Sequence, residues 1–220
     1  MPKLHLFAAV LATGLALGAA GNAAVIANSP TLPPLGVGFS TGSGGSCFQA
    51  AGVCAVPGVL TFTSIASSIF DASGQDIVAN ASLTAQITAP AQPTVPVLLT
   101  GTVEEKVLGR TFSTETGDWS TQILSIDLSG PVLGHTLTMG LDPSTPSTGG
   151  ASVDLVAGHE GQFLVDSFFE VFVELSLDTS PPQSTTRSAH LALVPEPASL
   201  ALLAGAALAM AVVRRRGRAI

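Results

Sequence analysis

Two carboxylates stand four residues apart in Phe169–Asp178, a segment whose apolar residues alternate with polar ones. Paired carboxylates on either side of a glycosidic bond carry out glycoside hydrolysis, so Glu170 and Glu174 are the first candidates for chemistry. On a strand their Cα atoms lie about 13 Å apart, and the carboxyl groups would have to lean together across position 172. Phe172 occupies that position instead of a third acidic residue. The spacing therefore favours a solvated strand face over a secreted glycan hydrolase, and we predict that the domain is not an enzyme.

The histidines show no pattern that is typical of a metal site. His135, His159 and His190 lie between the two ends of the chain, and none stands at a metal-ligand spacing from another. His159 precedes a glutamate but lacks the second histidine of a zinc-protease helix. We therefore predict no metal and no cofactor.

Two further features have both a binding and a structural interpretation. The segment Asp71–Asp76 has the acidic and glycine content of a calcium loop, but it lacks the acidic alternation and the closing glutamate of an EF-hand. Asp, Ser and Gly are turn residues, so a turn is favoured. Trp119 is the one tryptophan of the chain and could stack on a sugar, although an aromatic residue in an alternating apolar run is more often part of the core.

The elements that must position these residues are predicted to be strands. Apolar and polar residues alternate in seven segments separated by Gly, Pro, Asp or Ser, and this period of two is typical of half-buried strands. Frequent turns between short strands favour an all-β fold, specifically an antiparallel β-sandwich, over a parallel β-helix, for which no fixed repeat is found. The seven segments are Val59–Ile65, Ile77–Ile87, Trp119–Leu128, His135–Leu141, Ala151–Val156, Phe169–Asp178 and Ser188–Leu193.

The charge of the chain is concentrated in the domain between the two ends. Residues 25–193 contain fourteen acidic residues but only three basic ones, Lys106, Arg110 and Arg187, which gives a net charge of −11. Nucleic-acid binding depends mainly on Lys and Arg at the phosphate backbone, so we predict no nucleic-acid partner.

Cys47 and Cys54 lie close together in a segment rich in Gly and Ser. In an exported chain such a pair normally forms a disulfide. A metal pair would need further Cys or His ligands nearby, and the sequence between Ser29 and Gln86 contains none besides these two. We therefore predict a disulfide that closes a short loop.

Residues 1–24 have the organisation of a secretory signal peptide. Lys3 precedes an apolar run from Leu6 to Ala20, and small residues suited to cleavage follow it. The run has no polar face and leads directly into a Pro-rich segment, which argues against a buried helix. Cleavage after Ala20, Ala23 or Ala24 fits the pattern equally well.

The C-terminal segment 194–220 has three parts. Val194, Pro195, Glu196 and Pro197 come first, and the prolines favour an extended chain there. An apolar run from Leu200 to Val213 follows and predicts a hydrophobic helix close to the lower length limit for a membrane span. A basic cluster then predicts a cytoplasmic end, with the folded domain outside. The cluster consists of Arg214, Arg215, Arg216 and Arg218.

This three-part end resembles the PEP-CTERM sorting signal. The resemblance implies recognition by an exosortase, a transpeptidase-like enzyme of the inner membrane that processes its substrates near the Pro-Glu-Pro box. It also implies transient insertion of the tail into the membrane, followed by a cell-surface or extracellular location in a bacterium that makes exopolysaccharide. A plain single-span anchor would leave the proline-flanked glutamate unexplained.

Two segments of the domain are similar to a group of uncharacterised, β-rich PEP-CTERM proteins. They are Thr116–Ser125, with the following Leu128–Gly130, and Asp166–Asp178. In that group a glycine usually follows the second segment, whereas Thr179 follows here. The similarity implies a fold but no activity.

Together these patterns predict a chain in four parts: a signal peptide (1–24), a Gly/Pro/Ser-rich segment with the disulfide (25–58), a β-sandwich (59–193) and the sorting signal (194–220). The function expected first is that of a non-catalytic surface or matrix protein associated with exopolysaccharide or biofilm. A carbohydrate- or calcium-binding module is the alternative, and a secreted glycan hydrolase is a more distant one.

Overall fold

The computed structural model describes residues 24–41, 46–48, 53–88, 93–178, 181–185 and 188–194. Every regular element in these ranges is a strand and every strand pair is antiparallel, which confirms the predicted all-β class. The strands are β1 (Val25–Ala27), β2 (Gly38–Thr41), β3 (Ser46–Phe48), β4 (Val53–Asp71), β5 (Gly74–Thr88), β6 (Val95–Leu108), β7 (Gly117–Val132), β8 (His135–Leu141), β9 (Thr148–Leu155), β10 (Phe163–Val171), β11 (Val173–Leu177), β12 (Gln183–Ser184) and β13 (Ala189–Leu193).

Eight strands form a ring of hydrogen-bonded pairs, which we call the closed sheet. Its order is β13, β2, β4, β5, β6, β7, β9 and β10, after which β10 pairs with β13 again. Strand β9 completes the ring because it pairs with β7 on one side and with β10 on the other. The predicted sandwich of two separate sheets therefore differs from the pairing seen here. Each strand of the ring therefore has a partner on both sides along part of its length, which reduces the unpaired edge to which strands of other chains can add.

Two neighbouring lines of strands each contain a break, and the two breaks lie side by side. Strands β8 and β9 lie end to end along β7, and β10 and β11 lie end to end on their other side. The N–H of Asp142, between β8 and β9, donates to the C=O of Phe172, between β10 and β11, at 2.9 Å. This hydrogen bond satisfies backbone groups that would otherwise be left by the two interruptions.

The interior is filled by alternate side chains from every strand of the ring. From Phe169 to Leu175 the alternate residues are buried, as predicted, while Leu177 is 40% exposed where β11 ends. Three phenylalanines from different strands meet in the core: the ring of Phe39 lies 5.4 Å from that of Phe62, edge to face, and 5.5 Å from that of Phe169. Such aromatic pairs stabilise a core by about 0.5–1.5 kcal/mol beyond their area burial.

Six of the seven predicted strand segments fall on β4, β5, β7, β8, β9 and β13, with ends that agree to within one residue or lie inside longer strands. The seventh, Phe169–Asp178, is predicted as one strand, but the structure breaks it at Phe172 between β10 and β11. Strand β6 is the large element that the sequence patterns do not predict. Strands β1 and β2, which belong to the Gly/Pro/Ser-rich segment, pair with β10 and with β13 and β4.

At Val194, the last residue that the structure describes, the N–H donates to the C=O of Gly38 at 2.8 Å. None of the elements in the described ranges is a helix with the length and apolarity that a membrane crossing requires. The predicted terminal helices lie outside the described residues. So do the remaining sorting and anchor residues, namely Pro195, Glu196, Pro197, Arg214, Arg215, Arg216 and Arg218.

Candidate functional site

The two carboxylates with glycosidase-like spacing do not form a pair. Glu170 and Glu174 lie on the outward face of β10 and β11, as the alternation predicts. Glu170 reaches toward β13, where its Oε1 lies 2.5 Å from Nδ1 of His190. Glu174 reaches toward β8 on the other side. Its Oε1 lies 3.3 Å from the position that a Cβ on Gly140 would occupy. The two side chains therefore reach toward different neighbouring strands.

A second feature on this outward surface is an aromatic pair, which we call the platform and define as Phe168 and His190. The two ring centroids lie 5.9 Å apart and the ring planes are inclined by 30°. Phe168 is half-buried and His190 is exposed. The residue opposite Phe168 on β9 is Gly150, where an added Cβ would stand 2.8 Å from Cε1 of Phe168. The ring thus occupies space above β9 that a larger residue would fill.

The surroundings of the platform follow from the register of four strands. One row across the sheet contains Ser120, Gly150, Phe168 and Ala192. The neighbouring row contains Asp118, Ser152 and Asp166, and the row on the other side contains Glu170 and His190. We call this surface of β7, β9, β10 and β13 the outer wall. It combines one apolar ring with hydroxyl and carboxylate groups.

Two segments singled out in the sequence analysis contribute to the outer wall. Thr116–Ser125 supplies the first part of β7, Asp166–Asp178 supplies most of β10 and all of β11, and β9 lies between β7 and β10. The platform itself was missed by sequence reasoning. Period-two alternation places Phe168 outward, but its neighbours Gly150 and His190 come from other strands, and no local pattern indicates them.

His135 and His159 make contacts that hold the fold together. Nδ1 of His135 lies 2.6 Å from Oδ2 of Asp178, whose other oxygen accepts the Thr136 N–H at 2.8 Å. The hydrogen bond from Thr136 and that with His135 hold the pKa of Asp178 below its usual value. His159 lies in the turn between β9 and β10, where its N–H donates to the C=O of Val156. Within the described ranges no three His, Cys, Asp or Glu residues form a group that could hold a metal ion.

The segment Asp71–Asp76 contains a turn at Ala72 and Ser73, which joins β4 to β5 as predicted. The Asp71 carboxylate accepts hydrogen bonds from the N–H of Ser73 at 2.7 Å, from its hydroxyl at 2.6 Å and from the N–H of Gly74 at 3.0 Å. The bonds from Ser73 lower the pKa of Asp71 most. Asp76 instead forms an ion pair with Lys106 at 2.9 Å. The two carboxylates of this segment thus have protein partners of their own.

One hydrolase-like pattern, Gly38-Phe39-Ser40-Thr41-Gly42, has the spacing of a Gly-x-Ser-x-Gly nucleophile elbow. In that motif the serine stands on a sharp turn between a strand and a helix. Ser40 lies within β2 instead and pairs with Val59 of β4 and Ala192 of β13. Its backbone is therefore extended, and the pattern does not form an elbow.

A buried polar cluster surrounds Arg110 at one end of the interior. The Arg110 side chain is 0% exposed, and its guanidinium donates to Oε1 of Gln75 at 2.9 Å and to the C=O groups of Pro30 and Ser113 at 2.5 and 2.8 Å. It also lies over the ring of Trp119, 5.1 Å from the ring centre, which is a cation–π arrangement. Trp119 packs against the core, so the core interpretation of this residue is confirmed.

Glu105 is the least expected residue of the interior. It is 1% exposed, lies between Ile77 and Ile123 in the strand register, and neither carboxyl oxygen has a hydrogen-bond partner. Burial raises the pKa of Glu105 to about 8, and the charge of Arg110 opposes this rise. The alternation of the strand could have indicated the burial of Glu105, because residue 105 lies on the same face as Val103 and Val107, both of which are buried.

No role for these residues follows from likeness to known proteins. Comparisons of the chain with protein-family models, with curated proteins and with solved structures found no match.

Proposed function

We propose that the chain is an exported, non-catalytic surface or matrix protein that an exosortase sorts through its PEP-CTERM tail. The observation that carries the proposal is the three-part tail, with the box at Val194 to Pro197 directly before an apolar run and an arginine cluster. The described fold supports it, because in the described part of the chain Val194, the first residue of the box, makes the backbone hydrogen bond nearest the C-terminus, to Gly38. Alteration of Pro195, Glu196 and Pro197 leaves Val194 in place.

Replacing Pro195, Glu196 and Pro197 with alanine should block processing and leave the domain folded. Mass spectrometry of protein from the producing organism should show, for the unaltered chain, an N-terminus within Ala19 to Val25 and no peptide from 214–220. The triple variant should keep the 214–220 peptide and remain associated with the membrane. Its apolar run is near the lower length limit for a span, so this association should be weak.

A matched control replaces Pro181 and Pro182, an exposed proline pair inside the domain region, with alanine. This control should be processed normally. Deleting residues 214–218 should act differently, because without the cytoplasmic charges the short helix can slip outward and release unprocessed protein. Normal processing of the triple variant in a host with an exosortase would refute the sorting proposal.

The proposed export also predicts that Cys47 and Cys54 are joined. The two residues are direct partners in the β3–β4 pairing, and opposed residues of antiparallel strands have Cα atoms about 4.5–5.5 Å apart, within the range of about 4.4–6.8 Å that a disulfide spans. The exported protein should not react with a thiol probe in denaturant until a reductant is added. Adding denaturant before the probe separates a disulfide from mere burial. Labelling of both thiols in denaturant alone would contradict the prediction, and by the chain-entropy model the closed loop contributes about 2–3 kcal/mol.

The second candidate function is a carbohydrate- or calcium-binding module. The platform favours the carbohydrate form, because it places an aromatic ring among hydroxyl and carboxylate groups on the outer wall. A glycan array measured with and without calcium separates this candidate from a purely structural role. Retention of no glycan at millimolar sugar under either condition would exclude the binding module.

A further inference from the structure

We propose that the platform of Phe168 and His190 binds the apolar face of a sugar ring in a neutral glycan. This inference rests on the second candidate function and adds a location and a ligand class to it. The sorting of the protein does not depend on it.

The Phe168 ring is half-buried on the outer side of the wall. Its two direct neighbours in the row are Gly150 and Ala192, which are too small to cover an aromatic ring. The next residue in the chain, Phe169, points the other way and is fully buried against Phe39. Phe168 is therefore an aromatic side chain kept on the outside of a sheet, beside small residues. Stacking of a flat, partly apolar ligand would cover this surface.

The groups around the ring match the polar edge of a sugar. Glu170 and His190 hold each other in place on one side of the ring, through the contact of 2.5 Å between Oε1 and Nδ1. Ser120 and Ser152 supply hydroxyl groups on β7 and β9. Sites for small molecules combine an apolar surface with a few fixed polar groups in this way, the first for affinity and the second for orientation.

The charge of the wall selects against acidic glycans. Asp118, Asp154, Asp166 and Glu170 all lie on outward positions of β7, β9 and β10. The lysine and the arginine in the described part of the chain do not balance them, because Lys106 is paired with Asp76 and Arg110 is buried. A polyuronate would bring like charges together, whereas a neutral chain of pyranose rings would not.

The test uses the purified exported protein in affinity gel electrophoresis with soluble glycans. The neutral probes are a glucan, a mannan and a galactan, and the acidic probe is alginate. The unaltered protein should be retarded by at least one neutral glycan and not by alginate. Phe168→Leu keeps an apolar side chain but removes the ring, and it should weaken the interaction roughly tenfold.

Two further variants distinguish the platform from a general effect of aromatic residues or of stability. Phe112→Leu removes a ring that is 68% exposed in the loop after β6, and it should leave binding unchanged. Gly150→Ala should displace the Phe168 ring without removing it and should weaken binding while the protein stays folded, as circular dichroism would show. Phe168→Leu with unaltered affinity, retention by none of the neutral glycans, or stronger retention by alginate would each overturn the proposal. Normal processing of the tail would persist in all three cases, so the sorting proposal is tested independently.

Discussion

The free energy of unfolding should fall by about 4 kcal/mol between pH 5 and pH 8.5, and Glu105→Gln should remove most of this dependence. The reason is the burial of Glu105 without a hydrogen-bond partner, which raises the pKa of its carboxyl group from its ordinary value of 4.5 to about 8. Urea unfolding at several pH values, followed by circular dichroism, would measure the change.

The sign follows from where the proton is held. Between pH 4.5 and about 8 the folded protein keeps the Glu105 proton, while the unfolded chain has released it. The stabilisation that Glu105 contributes is therefore fully present below pH 4.5 and is lost as the pH rises through the folded-state pKa of about 8. The other carboxyl groups with displaced pKa values, Asp71, Glu115, Asp142 and Asp178, are all shifted down, so their effect on stability lies at lower pH.

Glu104→Gln is the matched control, because Glu104 is the preceding residue of the same strand and points outward. It should keep the pH dependence of the unaltered protein. At pH 5 Glu105→Gln should be about as stable as the unaltered protein, since both then bury a neutral side chain with unmet hydrogen bonds. An equal slope for Glu105→Gln and the unaltered protein would show that Glu105 is not the titrating group.

Arg110→Met should destabilise the domain by about 3–5 kcal/mol, because it removes one member of a buried polar cluster. The change leaves Oε1 of Gln75 and the C=O groups of Pro30 and Ser113 without their donor, and it removes the contact with Trp119. Urea unfolding at pH 6 would measure the loss, and the fluorescence of Trp119 would report on the same site.

Arg110→Lys separates charge from geometry. Lysine keeps the positive charge, but it lacks the planar fork with which arginine serves several acceptors at once, so we expect it to recover only part of the lost stability. Arg110→Met should also move the pH dependence of Glu105 to higher pH, because the Arg110 charge opposes the rise of that pKa. Stability of Arg110→Met within 1 kcal/mol of the unaltered protein would contradict the importance of the cluster.

The class of fold could be predicted because alternation along a strand is local. Phe169 to Leu175 shows which side chains are buried without reference to any other strand. The bounds of His135–Leu141 were predictable in the same way, since this segment is β8 as observed. The turn at Asp71 was predictable for a similar reason, since its hydrogen bonds reach only as far as Ser73 and Gly74. Such features depend on residues a few positions apart.

Strand β6 was not predicted because two of its residues depart from the rule that apolar side chains face inward and charged ones outward. Glu105 faces the interior and Leu98 is 53% exposed, so the apolar pattern of Val95–Leu108 is inverted at these two positions. A buried carboxyl group is tolerated there only because the surrounding strands enclose it and its proton is retained. This is a property of the assembled sheet.

The amino-acid sequence by itself determined the all-β class, the inward-facing side chains of the predicted strands, and the three-part tail on which the sorting proposal rests. The tertiary structure alone decided that the sheet closes through β9, that Glu170 and Glu174 reach toward different strands, and that Phe168 meets Gly150 and His190. The reason is that the pairing of strands depends on packing between segments far apart in the chain, whereas alternation and turns depend on residues close together in sequence. A candidate site built across four strands therefore becomes visible only when the register of those strands is known.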